Sequence, residues 1–398
     1  MSAEVKTGYK QTEVGVIPED WNIVQLGDLF SFKNGLNKSK EFFGYGTPIV
    51  NYMDVFQKSG LRNNDIQGRV DVNRSELKAY EVRKGDVFFT RTSETVEEVG
   101  VASVALEETQ DTVFSGFVLR GRPVDESLDD EYKKYCFSAP YFRKQVTSRA
   151  SYTTRALTNG RSLSTSLLVR PPLVEQKSIA SVLSDIDALI SRLDQLVAKK
   201  RDIQQATMQQ LLNGQRRLPE FSNEWEMKRL GDIADLYQPV TISARQLTDF
   251  GYPVYGANGV VGFFSEFNHD SPQVTVTCRG STCGTVNRTV EKSWITGNAM
   301  VINCDKSRSI NKEFLYFLLL GQDLSVCITG TGQPQIVRGP LANFELPIPS
   351  DLEEQRAIAS ILSDMGTELA ALEARRNKAH QLKQGIMQEL LTGRIRMA

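Results

Sequence analysis

Few positions in this chain could do chemistry. The two histidines, His269 in a polar FNHD turn and His380 in a helical stretch, have no histidine neighbour with which to share a metal. Five cysteines, Cys136, Cys278, Cys283, Cys304 and Cys327, form no CxxC pair. Free thiols in a reducing compartment are therefore expected, with neither a disulfide framework nor a zinc site. None of the patterns GxSxG, HExxH, GxxxxGKS/T or GxGxxG occurs. The RPPL at Arg170 to Leu173 comes nearest to the tetrad with which a DNA methyltransferase holds a flipped base. It lacks the leading Asn or Asp and the trailing aromatic, and a rigid strand-to-helix connector explains its prolines better. The chain is read as non-catalytic on its own.

Binding chemistry is better represented. From Lys133 to Arg170 the basic residues Lys133, Lys134, Arg143, Lys144, Arg149, Arg155, Arg161 and Arg170 run without an acidic interruption. Tyr135, Phe137, Tyr141, Phe142 and Tyr152 are interleaved with them, as on a surface that meets phosphates and bases. A solvated helix face followed by a loop would read the same way. The net charge of −1 gives no global pointer to nucleic acid. At 398 residues, 40% hydrophobic and 24% charged, the chain is long enough for two or more domains with cores of their own. Its polar N-terminus and the absence of any run of eighteen apolar residues argue against secretion or membrane spanning, and a cytoplasmic location is expected.

The elements that position these residues are duplicated. EQKSIASVLSD at Glu175 to Asp185 returns as EQRAIASILSD at Glu354 to Asp364, identical at eight of eleven positions. At the same offset Leu193 meets Leu372, Lys199 meets Lys378, and MQQLLNG at Met208 meets MQELLTG at Met387. Upstream, WNIVQLGDLF at Trp21 is echoed by WEMKRLGDIA at Trp225. Each half is thus a variable block followed by a constant block, and a repeat this long means duplicated domains, not a solenoid.

The constant blocks carry apolar residues at three- and four-residue steps, from Ile179, Val182 and Leu183 to Met208 and Leu211, and from Ile358, Ile361 and Leu362 to Leu390. Each predicts a helix of about 57 Å. Pro171 and Pro172 precede the first, Ser350 with Glu353 forms a candidate capping box for the second, and Gly214 and Gly393 stand where C-terminal caps belong. A stripe this long needs a partner, and the other copy supplies one; the competing reading is that each helix packs on its own domain. The variable blocks contain short β-branched or aromatic segments such as GDVFFT, GVASVAL, PQVTVTCRG and NAMVINC, with helical patches near Tyr132 to Gln145 and Lys312 to Leu320. The expected fold is α+β: two β-rich α/β domains joined by two long helices in an antiparallel coiled coil, with pseudo-twofold internal duplication. The expected divisions are 1–174, 175–218, 219–350 and 351–398.

This arrangement, two W…LGD domains closing through PPLVEQ and SDLEEQ into EQxxIASxLSD…LLxG helices, resembles the specificity subunit of type I restriction-modification enzymes over nearly the whole chain. YPVYGANGVVG at Tyr252 and TGTGQPQI at Thr329 also resemble members of that family. The resemblance implies that each variable block is a target-recognition domain reading one half of a bipartite double-stranded DNA sequence, while the helices set the half-site spacing. It also implies two modification (methyltransferase) subunits carrying S-adenosylmethionine, and restriction (translocase-nuclease) subunits using ATP and Mg, with no cofactor in this chain. Docking of the methyltransferases is expected at the constant helices, through Glu175, Gln176, Ile179, Leu183, Glu354, Gln355, Ile358 and Leu362.

Side chains with hydrogen-bond forks on loops after strands are the expected base readers. In the first domain these are Arg91, Thr92, Ser93, Arg149, Tyr152, Thr153 and Arg155, with Asn51 and Tyr52 as further candidates. In the second they are Tyr255, Asn258, Arg279, Ser281, Thr282, Thr331, Gln333 and Gln335. Two other classes of function stay open on the sequence: a coiled-coil tether whose end domains bind proteins, and a fused enzyme that modifies DNA itself.

Overall fold

The computed structural model describes residues 6–152, 154–257, 259–330 and 334–397. They fall into two compact units, Met1–Arg192 with Arg376–Ala398, and Leu193–Arg375. Each unit is one head together with part of each long helix.

In the first head, VFFT at Val87–Thr90 is buried at every position, as a strand covered on both faces must be. It lies at the centre of a five-stranded sheet ordered Phe30–Asn34, Val118–Pro123, Val87–Thr90, Ala102–Ala105 and Gly60–Leu61, antiparallel except for the last pair. Because side chains alternate along a strand, Phe88 and Phe89 enter different cores. Phe89 packs with Tyr132, Tyr135 and Phe142 of the helices Asp130–Cys136 and Pro140–Ser148. Phe88 joins Val50, Val55 and Phe114 on the opposite face.

The second head is smaller. Its four-stranded antiparallel sheet runs Asp235–Tyr237, Ala299–Asn303, Val274–Thr277 and Val286–Arg288. The helix Lys312–Leu320, KEFLYFLLL, buries Phe314, Leu315, Phe317, Leu318 and Leu319 in the same core as Val274, Val276, Met300 and Ile302. A hairpin of Tyr252–Gly256 with Gly259–Phe264, joined by Trp294–Ile295, forms a separate three-stranded sheet.

The long helices span Leu173–Leu211 and Leu352–Leu391, about 58 and 60 Å at 1.5 Å per residue. They run antiparallel within each unit. In the first, Leu390 and Leu391 share a core with Ile179 and Leu183, and Lys383 pairs with Asp187 at 2.6 Å. In the second, Leu211 shares a core with Ile358 and Leu362, and Lys200 pairs with Glu368 at 2.7 Å. Both C-terminal caps are left-handed glycines, Gly214 and Gly393, each at φ 71°. The start of the second helix differs from the expected capping box: Asp351, not Ser350, caps it, its Oδ1 accepting from Glu353 N at 2.8 Å. An aspartate at this position does the same work as the serine and adds charge at the positive end of the helix dipole.

The apolar stripe is divided between two uses. Its ends enter the head cores, which a simple two-helix pairing does not anticipate. Leu189, Leu196 and Ile203, seven residues apart on the first helix, remain 40, 39 and 42% exposed.

Candidate nucleic-acid interface

In the first head the central strand ends at Thr90, and the chain turns at once into the short strand Thr92–Ser93. That strand pairs with Ala156–Leu157, which pairs in turn with Ser151–Tyr152. The pairing brings a distant hairpin, Ser151 to Leu157, to the end of the main sheet. A cavity of about 320 Å³ opens there. Its lining combines Tyr52, Met53, Phe56 and Phe117 with Thr92, Ser93, Glu94, Glu98 and Arg155. The rings of Tyr52 and Phe56 stack at 5.7 Å, while Phe117 and Met53 are 61 and 50% exposed. Tyr52 Oη donates to Ser93 Oγ at 3.2 Å, and Ser93 Oγ donates to the Glu98 carboxylate.

Of the first-head candidates, Thr92, Ser93, Arg155 and Tyr52 meet at this cavity. Tyr152 stands 61% exposed on the neighbouring strand. Arg91 lies just behind: its guanidinium donates to Gly116 O at 3.3 Å, its N–H to Phe117 O, and its carbonyl accepts from Thr158 N. Arg149 is directed elsewhere, to Ser166 Oγ at 3.1 Å, and Asn51 is occupied at the start of the helix Tyr52–Gln57, its N–H donating to Asp54. Thr153 lies outside the described residues. Met53, Phe56, Phe117, Glu94 and Glu98 were not anticipated. Phe117 alone carried a signal, a bare aromatic in the Ser-Gly-Phe step between two strand segments.

In the second head, Arg279 bridges to Gln335, and Ile336 N donates to Cys278 O at 2.9 Å. The turn carrying Arg279, Ser281 and Thr282 is therefore set beside the strand Gln335–Ile336. Tyr255 is apart from this group: its ring packs on Ile295, Ala299 and Val301, and its hydroxyl accepts from Val290 N at 3.3 Å. Asn258, Thr331 and Gln333 lie outside the described residues. His269 is hydrogen-bonded to Tyr237 Oη at 2.9 Å and to Asn268, and burial pushes its pKa down.

The basic and aromatic run from Lys133 to Arg170 is divided: part of it is internal, while Lys144, Arg149, Tyr152, Arg155 and Arg161 are exposed. Lys133 is buried against Asp130, and Arg143 donates to the carbonyls of Glu97, Val99 and Gly100, closing the loop before Ala102–Ala105. Tyr135, Phe137 and Phe142 are core residues.

The eight expected docking residues also require correction. All are at most 5% exposed, spent on closing their own head. Gln176 Nε2 donates to Ser127 O and Pro171 O at 3.0 and 2.9 Å, and its Oε1 accepts from Asp129 N at 2.9 Å. Gln355 repeats this with Ser309 O, Pro349 O and Asn311 N at 3.1, 2.8 and 2.7 Å. Asp129 and Asn311 are the N-caps of Asp130–Cys136 and Lys312–Leu320, so each glutamine ties a long helix to the start of a head helix. Glu175 accepts from Trp21 Nε1 at 2.8 Å and from Arg396 Nε at 2.7 Å. Glu354 accepts from Trp225 Nε1 at 3.4 Å and from Arg217 Nε at 2.6 Å. In both heads the arginine comes from the segment that follows the other long helix and lies over the tryptophan ring, at 5.7 and 5.8 Å. Ile179, Leu183, Ile358 and Leu362 complete the two cores.

Two W…LGD heads, each closed by the same glutamate, glutamine, tryptophan and arginine on antiparallel helices, define a duplicated recognition scaffold. Residues 18–199 and 222–381 match the type I restriction modification DNA specificity domain, and the chain belongs to that family. It is similar to the type I restriction enzyme MjaVIII specificity subunit of Methanocaldococcus jannaschii, 22% identical with 96% of this chain and 94% of the relative covered. It is also similar to the EcoprrI specificity subunit of Escherichia coli, 24% identical with 86% of each covered. Among solved structures, the S subunit of a type I restriction-modification system from M. genitalium shares the fold, with TM-score 0.62, 16% identity and 98% of both chains covered. The chain is accordingly a non-catalytic recognition component, with DNA and other restriction-modification subunits as its partners. Among the described residues, no helix is long and apolar enough to cross a membrane.

Proposed function

We propose that this chain selects the DNA target of a type I restriction-modification complex in the cytoplasm. Each head reads one half of a bipartite duplex sequence, and the paired helices fix the number of base pairs between the halves. The observation that carries this reading is the duplication of the whole closure, two heads built the same way around antiparallel helices. Helices of about 58 Å suit half-sites one duplex turn, about 34 to 36 Å, or somewhat more apart. The working division keeps residues 1–174 and 219–350 as recognition domains and 175–218 and 351–398 as spacers. Arg91, Thr92, Ser93, Tyr152 and Arg155 in the first head, and Arg279, Ser281, Thr282 and Gln335 in the second, are the proposed DNA contacts.

Two modification subunits bring S-adenosylmethionine and the methyl transfer, and restriction subunits bring ATP- and Mg-dependent translocation and cutting. With the EQ residues committed internally, docking falls to the exposed Leu196 and Ile203 of the first long helix, whose area is worth about 25 cal/mol per Å² when covered.

The test is a modified-base map of bacterial DNA after co-expression with the cognate modification subunit. A split motif with methyladenine in each half, absent without this chain, is expected. An unmethylated genome in the presence of an assembled complex would refute the reading and favour a protein-binding tether, which would also show no salt-dependent affinity for DNA.

A further inference from the structure

We infer that the first head reads the exocyclic amino group of one base, cytosine N4 or adenine N6, with the carboxylate of Glu98. The inference rests on the DNA-reading function above and names what this cavity selects.

The argument begins with the direction of the hydrogen bonds. Tyr52 gives its hydroxyl proton to Ser93, and Ser93 gives its own to Glu98 Oε2. Both donors are committed inward, so the relay ends in a pure acceptor. Ser93 is only 5% exposed and is held by pairing with Ala156, which fixes the carboxylate from behind. Among the described residues no side chain donates to Glu98 Oε1, and no lysine or arginine forms an ion pair with this carboxylate. Its backbone carbonyl is occupied separately, by Thr90 Oγ1 at 2.7 Å.

A carboxylate left unpaired beside a DNA polyanion is unfavourable unless it meets a donor. Of the groups a base pair shows in the major groove, only the amines of cytosine and adenine donate, so Glu98 favours those two and disfavours the guanine and thymine acceptors. The apolar rim supports the same assignment. Phe117 and Met53 project into solvent at the mouth of the cavity, and covering them with a base edge removes both from water while drying the carboxylate, which strengthens its hydrogen bond. Arg155, exposed at the same cavity, supplies a countercharge to the backbone. The relay distinguishes reading from mere solvation, because a solvent-facing glutamate needs no buried serine and half-buried tyrosine behind it.

The experiment uses the complete complex with its modification subunits and two measurements. Genome-wide methylation motifs are compared for the wild type, Glu98→Gln and Ser93→Ala. Binding is then measured on duplexes in which each adenine and cytosine of the first half-site is replaced in turn by an analogue lacking the amine. Glu98→Gln, which adds a donor, is expected to relax or change the motif at one position of one half-site and to leave the other half-site intact. The wild type should lose 10-fold or more in affinity for one analogue, and Glu98→Gln should be nearly indifferent to it. An unchanged motif with full methylation, or equal sensitivity of both proteins at every position, overturns the inference. If Glu98→Gln methylates nothing, the binding series on the same complex decides, with indifference confined to one analogue supporting the inference and uniform weakening overturning it. A wild-type complex that binds no bipartite sequence fails the DNA-reading function itself, which is a distinguishable result.

Discussion

Replacing Gln176 by leucine should loosen the first head and leave the second unchanged. The side chain is wholly buried and makes three hydrogen bonds, two to carbonyls and one from Asp129 N. Leucine keeps most of the volume, so the packing term is small and the cost is that of stranded polar groups. A buried donor left without a partner costs about 1 to 3 kcal/mol, and carbonyls with a second lone pair cost less. Together these come to about 3 kcal/mol. At a urea dependence of about 3 kcal/mol per molar, the first-head transition should move down by about 1 M. Hydrogen exchange resolved by peptide should show amides of Asp130–Cys136 exchanging about 100-fold faster, since each 1.4 kcal/mol is a factor of ten, with Lys312–Leu320 unaffected. Gln355→Leu should give the mirror result. If either variant changed both heads equally, or shifted its own by less than about 0.5 kcal/mol, the glutamine would not hold its head together as argued.

The acid limb of stability should depend on Arg396, whose guanidinium beside Asp20 holds that carboxyl below its ordinary value. A depressed folded-state pKa contributes stability above the unfolded pKa of about 4 that is lost as pH falls through the folded value; Arg396→Gln should therefore flatten that limb in a pH series of thermal melts. Gly393→Ala should destabilise more than Gly214→Ala. Both incur a left-handed cost of about 1 kcal/mol, but the added carbon meets Pro18 Cδ at 2.5 Å in the first case and nothing nearer than Trp225 at 3.5 Å in the second. The double change Leu196→Gln and Ile203→Gln should leave melting nearly unchanged, since both are exposed, and weaken assembly with the modification subunit at least 10-fold by calorimetry. Unchanged assembly would remove this pair as a docking face.

The architecture was legible because a repeated helix carries a repeated period, and Gly214 and Gly393 marked its ends. The roles of the EQ residues were not. A glutamate and glutamine at a helix start look like surface residues until the indole and guanidinium that bury them arrive from far along the chain. The basic run splits for a related reason: Arg143 and Lys133 spend their charge on loop carbonyls and an aspartate while Arg155 stays exposed, a difference that composition does not encode. At the candidate site, the rule that forks follow strands picks out Thr92, Ser93 and Arg155, which the structure gathers at one cavity. Glu98 and Phe117 were missed because that rule looks for donors, and the cavity is made by pairing two segments about sixty residues apart.

The crossed closure of the heads bears on the order in which the protein can be completed as it is made. The second head and its clasp arginine, Arg217, lie within the continuous stretch Leu193–Arg375, so everything it needs has been synthesised before Leu390, Leu391 and Arg396 are reached. The first head is begun first but finished last. Its core includes Leu390 and Leu391, and Glu175 waits for Arg396, 221 residues further along the chain. On the ribosome, where domains ordinarily fold from the N-terminus onward, this order is reversed. The first head must stay open, its Trp21 pocket and helix start unfilled, until synthesis has passed Arg396. A nascent chain truncated before residue 386 should thus protect only the second head from protease, and the arrival of residues 386–396 is the event that closes the first.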